Sequence, residues 1–96
     1  GFSGTALLTE AVRTGCIDQY TTDVGASLGS YLVCIRRGLH NDCGGNYGAL
    51  IYVSRQWAVY ENGSVSMAYN DGGLEALHLD AGDRFIFSLR TVCCYG

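Results

Sequence analysis

The feature that most constrains this chain is its five cysteines among only 96 residues: Cys16, Cys34, Cys43, Cys93 and Cys94. None of them forms the Cys-x-x-Cys pair typical of zinc sites, so the set predicts a disulfide framework. Disulfides persist outside the reducing cytosol, and the chain is therefore predicted to be secreted. Two bridges and one spare thiol are the simplest arrangement, and the sequence leaves the pairing open.

The chain ends in TVCCYG, where Cys93 and Cys94 are neighbours. Neighbouring side chains on an extended strand point to opposite faces, so these two cysteines are expected to have different partners. Cys93 is predicted to face the core and to bond to Cys34 or Cys16. Cys94 is predicted either to pair with Cys43 or to be the odd thiol. An exposed odd thiol suggests a disulfide-linked partner or dimer, and a buried free cysteine is the alternative.

The composition predicts a single domain over residues 1–96 with an uncharged surface. Hydrophobic residues make up 48% of the chain and charged residues 16%, and the net charge is −3. The six basic residues are scattered arginines, which argues against a nucleic-acid partner. The first residues, GFSGTALLTE, lack the layout of a signal peptide, so a secreted chain of this sequence is expected to be the mature form.

The chain contains no lysine although it contains six basic residues. Codon bias explains this absence in one interpretation. In the other, lysine is excluded because its amine is the site of ubiquitin attachment, and a toxin that enters a eukaryotic cytosol persists longer without it.

The two halves of the chain differ in their hydrophobic pattern. Residues 21–38, TTDVGASLGSYLVCIRRG, carry apolar side chains at helical spacing and predict a helix ending at Gly38. Residues 5–13, TALLTEAVR, fit a helix or a short strand, and the helix is favoured. The front half therefore predicts one or two helices.

The rear half predicts an antiparallel meander. Its strands are residues 49–60, 65–69, 74–79 and 84–92, and the turns between them are ENGS, NDGG and DAGD. The predicted fold class is α+β: an α/β sandwich in which one or two N-terminal helices pack on a four- or five-stranded antiparallel sheet, held by disulfides.

No catalytic residue is predicted. His40, Asp42 and Cys43 lie together in the stretch GLHNDCGG, and a thiolate nucleophile needs an imidazole within hydrogen-bond reach. Residues this close in sequence rarely converge in that geometry, and Cys43 is expected to be oxidised. His78 lies near Glu75 in sequence. These histidines, with Glu61 and Arg84, supply the residue types of a ribonuclease, but such a set occurs in most chains of this length.

No metal or cofactor is predicted either. Asp80 and Asp83 flank the turn DAGD. Two carboxylates at a turn could bind calcium weakly, and they stabilise the turn equally well without an ion.

Aromatic side chains predict a recognition surface. The chain contains seven tyrosines and one tryptophan but few charges. The predicted binding residues are Tyr47, Trp57, Tyr60 and Tyr69. Asn62, in the sequence Asn-Gly-Ser, is a predicted N-glycosylation acceptor, although Asn-Gly is also the preferred sequence of a hairpin turn.

In its size, its cysteines and its expected helix-on-sheet organisation, the chain resembles small secreted fungal proteins, the yeast killer toxins and the plant-pathogen effectors similar to them. The resemblance covers the whole chain but includes no family motif, and no functional residue carries over. It implies a secreted, non-enzymatic and antimicrobial or host-directed protein that binds a target-cell receptor, membrane or intracellular host protein. The alternatives are a small secreted hydrolase of ribonuclease type and a secreted enzyme-inhibitor module.

Overall fold

The structure is a computed structural model that describes residues 1–25, 29–47, 50–67 and 73–93; at 46–47, 50–53, 66–67 and 92–93 it describes the backbone alone. These residues form an α+β fold that is mostly sheet, with one α-helix, one 3-10 helix (Leu74–Ala76) and two antiparallel sheets. The elements are α1 (Gly4–Arg13), β1 (Gln19–Gly25), β2 (Gly29–Arg37), β3 (His40–Cys43), β4 (Gly45–Tyr47), β5 (Leu50–Glu61), β6 (Ser64–Met67) and β7 (Phe85–Cys93).

The first helix forms where the sequence predicts it and has a defined cap at each end. The Ser3 side chain accepts a hydrogen bond from the Ala6 N–H at the N-terminus. At the C-terminus, Gly15 has φ +80°, and the N–H groups of Gly15 and Cys16 donate to the Val12 and Ala11 carbonyls. These bonds form a Schellman motif, in which glycine takes the left-handed position without a Cβ clash.

The second predicted helix, over residues 21–38, is wrong. This stretch contains most of β1 and all of β2, and these strands pair antiparallel from Gln19–Arg36 to Gly25–Gly29. Six of its eighteen residues are threonine, valine, isoleucine or tyrosine, which favour strands over helices, and three are glycines, which weaken a helix. With β3 beside β2, the strands form a three-stranded N-terminal sheet in the order β1-β2-β3.

The second sheet is built around the long strand β5. Arg55 pairs with Gly45 of β4 on one side and with Thr91 of β7 on the other, and Ala58 pairs in the same way with Met67 and Ser88. Strands β4 and β6 therefore lie along one edge of β5, and β7 lies along the other. We call these four strands the C-terminal sheet.

The predicted rear half is confirmed only in part: the meander order is wrong, because β7 pairs with β5 and not with the segment before it. Asn62 (φ +51°) and Gly63 (φ +88°) form the two-residue turn between β5 and β6. The strand predicted at 84–92 is β7. The strand predicted at 74–79 is wrong, because the chain there makes a 3-10 turn and then a single bridge between Leu79 and Phe2. The turn predicted at 70–73 lies largely outside the described residues.

The predicted α/β sandwich, with helices over one four- or five-stranded sheet, is not observed. One helix and two small sheets instead share a core of apolar side chains. Its buried members are Leu8, Leu32, Trp57, Val59, Leu74, Leu77 and Leu79. Phe85, Phe87 and Leu89 of β7 pack against this core, whereas Ile86 between them is 45% exposed, so the side chains alternate along this part of the strand.

The two sheets are connected by a hydrogen bond at a β-bulge in β2. The register between β1 and β2 shifts so that Thr21 pairs with Cys34 and Thr22 with Leu32, which leaves Val33 without a partner on β1. The Val33 carbonyl accepts the Gly44 N–H at 2.7 Å and the Trp57 indole N–H at 2.9 Å. Trp57 belongs to β5, so this hydrogen bond crosses from one sheet to the other.

The disulfide pairing differs from the predicted one. Cys34 of β2 is bonded to Cys43, which lies directly opposite on β3. Cys34 is therefore not bonded to Cys93, nor Cys43 to Cys94. Cys16 is a free, exposed thiol. The side chain of Cys93 and all of Cys94 lie outside the described part of the chain.

Candidate functional site

Trp57 is part of the core and does not belong to a binding surface. Only 6% of its surface is exposed, and its indole N–H is bonded to the Val33 carbonyl at 2.9 Å. A large aromatic ring with a polar tip fits this position because the ring fills the core while its N–H donates to the Val33 carbonyl, which also accepts the Gly44 N–H. The sequence predicted Trp57 as a binding residue, and its burial does not agree with that prediction.

Tyr60 lies on the face of the C-terminal sheet that points away from the core. It pairs with Val65 of β6 on one side and with Ile86 of β7 on the other. Val65 is 50% exposed and Ile86 is 45% exposed, while Tyr60 is half-buried between them. We call Val65, Tyr60 and Ile86 the apolar row. The side chain of Tyr47 and all of Tyr69, the other predicted aromatics, lie outside the described residues.

Beyond the apolar row the same face is buried along β5, and polar residues of β7 lie beside it. Ala58, two residues before Tyr60, is completely buried and pairs with Ser88. The next pair along the strands is Gln56, which is buried, with Arg90, which is exposed. The apolar row therefore lies near the turn end of the sheet, and an arginine lies at the edge of the surface beside it.

The residues named for a ribonuclease are not brought together. His40 begins β3, and His78 follows the 3-10 helix; both side chains are exposed. Within the described residues, neither histidine makes a hydrogen bond or ion pair with a carboxylate. The Glu75 carboxylate accepts the Thr5 hydroxyl instead. Cys43 is in a disulfide, so it offers no thiolate.

Glu61 takes part in a different cluster. Its carboxyl oxygen and one oxygen each from Asp80 and Asp83 lie within 4.8 Å of one another. A hydrogen bond to the Asp83 carboxyl raises the pKa of Glu61, and desolvation adds to this shift, while the Asp80 backbone N–H opposes it. Three such oxygens could share a cation or a proton. The sequence indicated Asp80 and Asp83 but missed Glu61, which the hairpin turn positions beside them.

Asn62 has a structural role at the same end of the sheet. Its backbone N–H donates to the Arg84 carbonyl at 2.9 Å, and its side-chain Oδ1 accepts the Arg84 N–H at 3.0 Å. The side-chain amide thus extends the pairing of β5 with β7 by one residue. Asn62 is exposed. A glycan attaches to Nδ2, which leaves Oδ1 in place, so glycosylation stays a prediction that this geometry permits.

Comparison of the chain with protein-family models, with curated proteins and with solved structures finds no match. In the described residues, no helix has the length and apolar character needed to cross a bilayer.

Proposed function

We propose that this protein is a secreted, non-enzymatic toxin or effector that binds a protein of a target cell through the outer face of its C-terminal sheet. The observation that supports this most is the apolar row, which crosses three strands and leaves about half of Val65 and Ile86 in water. Each side chain gains free energy when a partner removes it from water, about 25 cal/mol for each Å² of apolar surface.

The composition of this face suits a protein interface. Interface centres are apolar and rich in tyrosine, and their rims are polar and often contain arginine. Tyr60 lies at the centre of the apolar row, and Arg90 and Ser88 continue the same face on β7. A net charge of −3 disfavours the anionic lipid surface that a basic patch would bind. We therefore favour a protein partner over a membrane.

The disulfide supports a location outside the cytosol. It joins two strands of a small sheet in a chain of only 96 residues. Such bridges are typical of small secreted proteins and are rare in the reducing cytosol. Secretion also agrees with the resemblance to small fungal toxins and effectors, which rests on size and organisation.

The experiment compares two double variants, each of which replaces two exposed apolar side chains by threonine and so keeps strand propensity. Val65→Thr with Ile86→Thr changes the apolar row. Val24→Thr with Leu39→Thr is the control, because Val24 is 71% and Leu39 103% exposed but both lie on the N-terminal sheet or its turn. We expect the first variant to lose growth inhibition of sensitive fungal or plant cells and binding to their extracted proteins, and the control to keep both.

Two outcomes would count against the proposal. Equal activity of both double variants at equal melting temperature would show that the apolar row is not a contact surface. Binding to lipid vesicles but not to cell proteins would favour the membrane. A third variant, His40→Ala with His78→Ala, tests the ribonuclease alternative: retained toxicity agrees with binding, and loss of toxicity without unfolding supports the hydrolase.

A further inference from the structure

The solvent face of the N-terminal sheet contains a depression of about 180 Å³. It lies on a part of the fold that the proposed protein contact does not use. Six residues from all three strands of the sheet line it: Gln19, Tyr20, Thr21, Cys34, Arg36 and Asn41. Five of them have side chains that point to the same face, because strand register and alternation place them there.

Arg36 is the centre of this arrangement. It pairs with Gln19 of β1 on one side and with Asn41 of β3 on the other, so a guanidinium stands between two carboxamides. The next row toward the bulge consists of Thr21, Cys34 and Cys43, with the disulfide in it. The sheet therefore presents hydrogen-bonding groups in one row and a hydroxyl beside apolar sulfur atoms in the next.

The opposite face of the same strands belongs to the core. Tyr20 and Ile35 pack against the core cluster. The Tyr20 hydroxyl is hydrogen-bonded to the Thr9 hydroxyl at 2.8 Å, away from the depression. The strand positions of the lining residues are thus fixed by packing on one face and by the disulfide within the sheet.

The electrostatics of the depression favour an anion. The Arg36 side chain is exposed, and among the described residues no carboxylate lies within ion-pair distance of it. The nearby acidic residue at the start of β1, Asp18, has an oxygen engaged by the Gly38 N–H at 2.7 Å. Arg36 therefore has its donors available, in a geometry that matches a carboxylate bidentately.

We propose that this depression binds a single acidic sugar residue, a uronic acid, through its carboxylate. Arg36 pairs with the carboxylate. Gln19, Asn41 and Thr21 can each donate and accept, which suits the sugar hydroxyls beside the carboxylate. The Cys34 side chain, which lines the depression, contacts the apolar C–H face of the ring. The volume is below the roughly 300 Å³ at which pockets for drug-sized ligands begin, so it fits one residue of a chain.

The test titrates the ¹⁵N-labelled full-length protein with glucuronate, glucose and N-acetylglutamate and follows backbone amide shifts. We expect glucuronate to shift the amides of β1, β2 and β3, and glucose, which lacks the carboxylate, to cause no saturable shift. Saturable binding of glucose, or equally strong binding of N-acetylglutamate, would overturn the assignment to an acidic sugar. Absence of any saturable shift with glucuronate would overturn the site.

Arg36→Gln should weaken glucuronate binding roughly tenfold to a hundredfold, the range for loss of a hydrogen-bonded charge. Arg37→Gln is the matched control: it is the next residue on the same strand, is equally exposed, pairs with His40 and points to the other face, so it should bind as the wild type does. Equal weakening in both variants would show a general charge effect and contradict the proposal.

A second variant guards against a folding defect in Arg36→Gln. Asn41→Asp keeps the size of the side chain but places a carboxylate opposite Arg36, where it competes with the ligand. We expect a wild-type amide spectrum outside the sheet and loss of glucuronate binding. Unchanged affinity in Asn41→Asp would contradict the proposed position of the carboxylate. None of these results depends on the apolar row, so toxicity and sugar binding are tested separately.

Discussion

Removal of the Cys34–Cys43 disulfide gives a measurable test of how the N-terminal sheet is held together. The two cysteines are 9 residues apart in sequence. The chain-entropy relation for a loop of this length gives about 2.5 kcal/mol of stabilisation. Folded domains are stable by roughly 5–15 kcal/mol, so Cys34→Ala with Cys43→Ala should still fold. With an unfolding entropy of about 2.1 cal/mol/K per residue, this loss lowers the melting temperature by about 12 °C.

The assay is thermal unfolding followed by the fluorescence of the single tryptophan, without reductant. Trp57 suits this purpose because it is buried and bonded to Val33, the residue before Cys34. Cys16→Ser is the control, because Cys16 is free and exposed and its loss should leave the melting temperature unchanged. A decrease of less than about 3 °C in the double variant would refute the entropic argument. A matching decrease in Cys16→Ser would show that Cys16 is bonded.

Three further predictions concern single side chains. Gly44→Ala should destabilise the protein by about 1–3 kcal/mol in urea unfolding, because its Cβ would lie 2.6 Å from the Arg55 carbonyl oxygen. Glu61→Gln should raise the melting temperature near neutral pH, since the raised pKa of Glu61 means that its carboxylate form is disfavoured beside Asp83. The folded state binds more protons than the unfolded one from the ordinary glutamate pKa of about 4.3 up to that raised pKa, so stability falls as pH rises through this window, and Glu61→Gln should remove that slope. Leu39→Lys, at a fully exposed turn position, should shorten the life of the protein in target cells if lysine is excluded to avoid ubiquitin attachment.

Each of these predictions has a control in the same chain. Gly15→Ala changes a glycine with open space around it, so it should affect stability without the change in Trp57 emission that Gly44→Ala causes. A hydrogen bond from Arg13 lowers the pKa of Glu10, so the Glu10 carboxylate contributes stability that is lost as pH falls. Glu10→Gln should remove this contribution, so the pH dependence of stability should change in the opposite direction to that of Glu61→Gln. Leu39→Arg is the control for Leu39→Lys, because arginine adds the same charge but lacks the ε-amine to which ubiquitin is attached. Equal persistence of the lysine and arginine variants would contradict the lysine argument, and an emission change in both glycine variants would contradict the packing argument. A pH dependence of stability unchanged from the wild type in both glutamine variants would contradict the electrostatic argument.

The sequence predicted correctly the elements that are determined by interactions between residues close in the chain. Ser3 caps the first helix and Gly15 ends it through bonds within a few residues. The Asn62-Gly63 turn is set by two residues that tolerate positive φ. The alternation of β7 follows from its contact with one core face. For the helix ends and the turn the decisive interaction is close in sequence, and for β7 the alternation of apolar and polar residues itself marks the core face, so the sequence pattern was sufficient.

The failed prediction at residues 21–38 has a different cause. Apolar residues there matched a helical stripe, but Leu32 is also buried on the core face of a strand, between neighbours that are only partly buried. A short apolar set fits both periods, and the preference of Thr21, Thr22 and Val33 for extended backbone indicated the strand. The wrong prediction of the disulfide pairing has the same cause. Cys34 lies opposite Cys43 because both residues are in paired strands, which a helix at 21–38 would not allow.

The bulge at Val33 explains why the recognition surfaces proposed for the two sheets could not be predicted from composition. Val33 has no partner on β1, and its carbonyl accepts the Trp57 indole N–H of the other sheet in addition to the Gly44 N–H. This bond takes the tryptophan out of the candidate binding set and fixes β5 against β2. Tyr60, three residues later on β5, then points outward, and Arg36, three residues after Val33 on β2, faces the depression. The aromatic count suggested a single binding face, whereas Tyr60 and Arg36 lie on different sheets, and the Trp57–Val33 hydrogen bond connects those sheets.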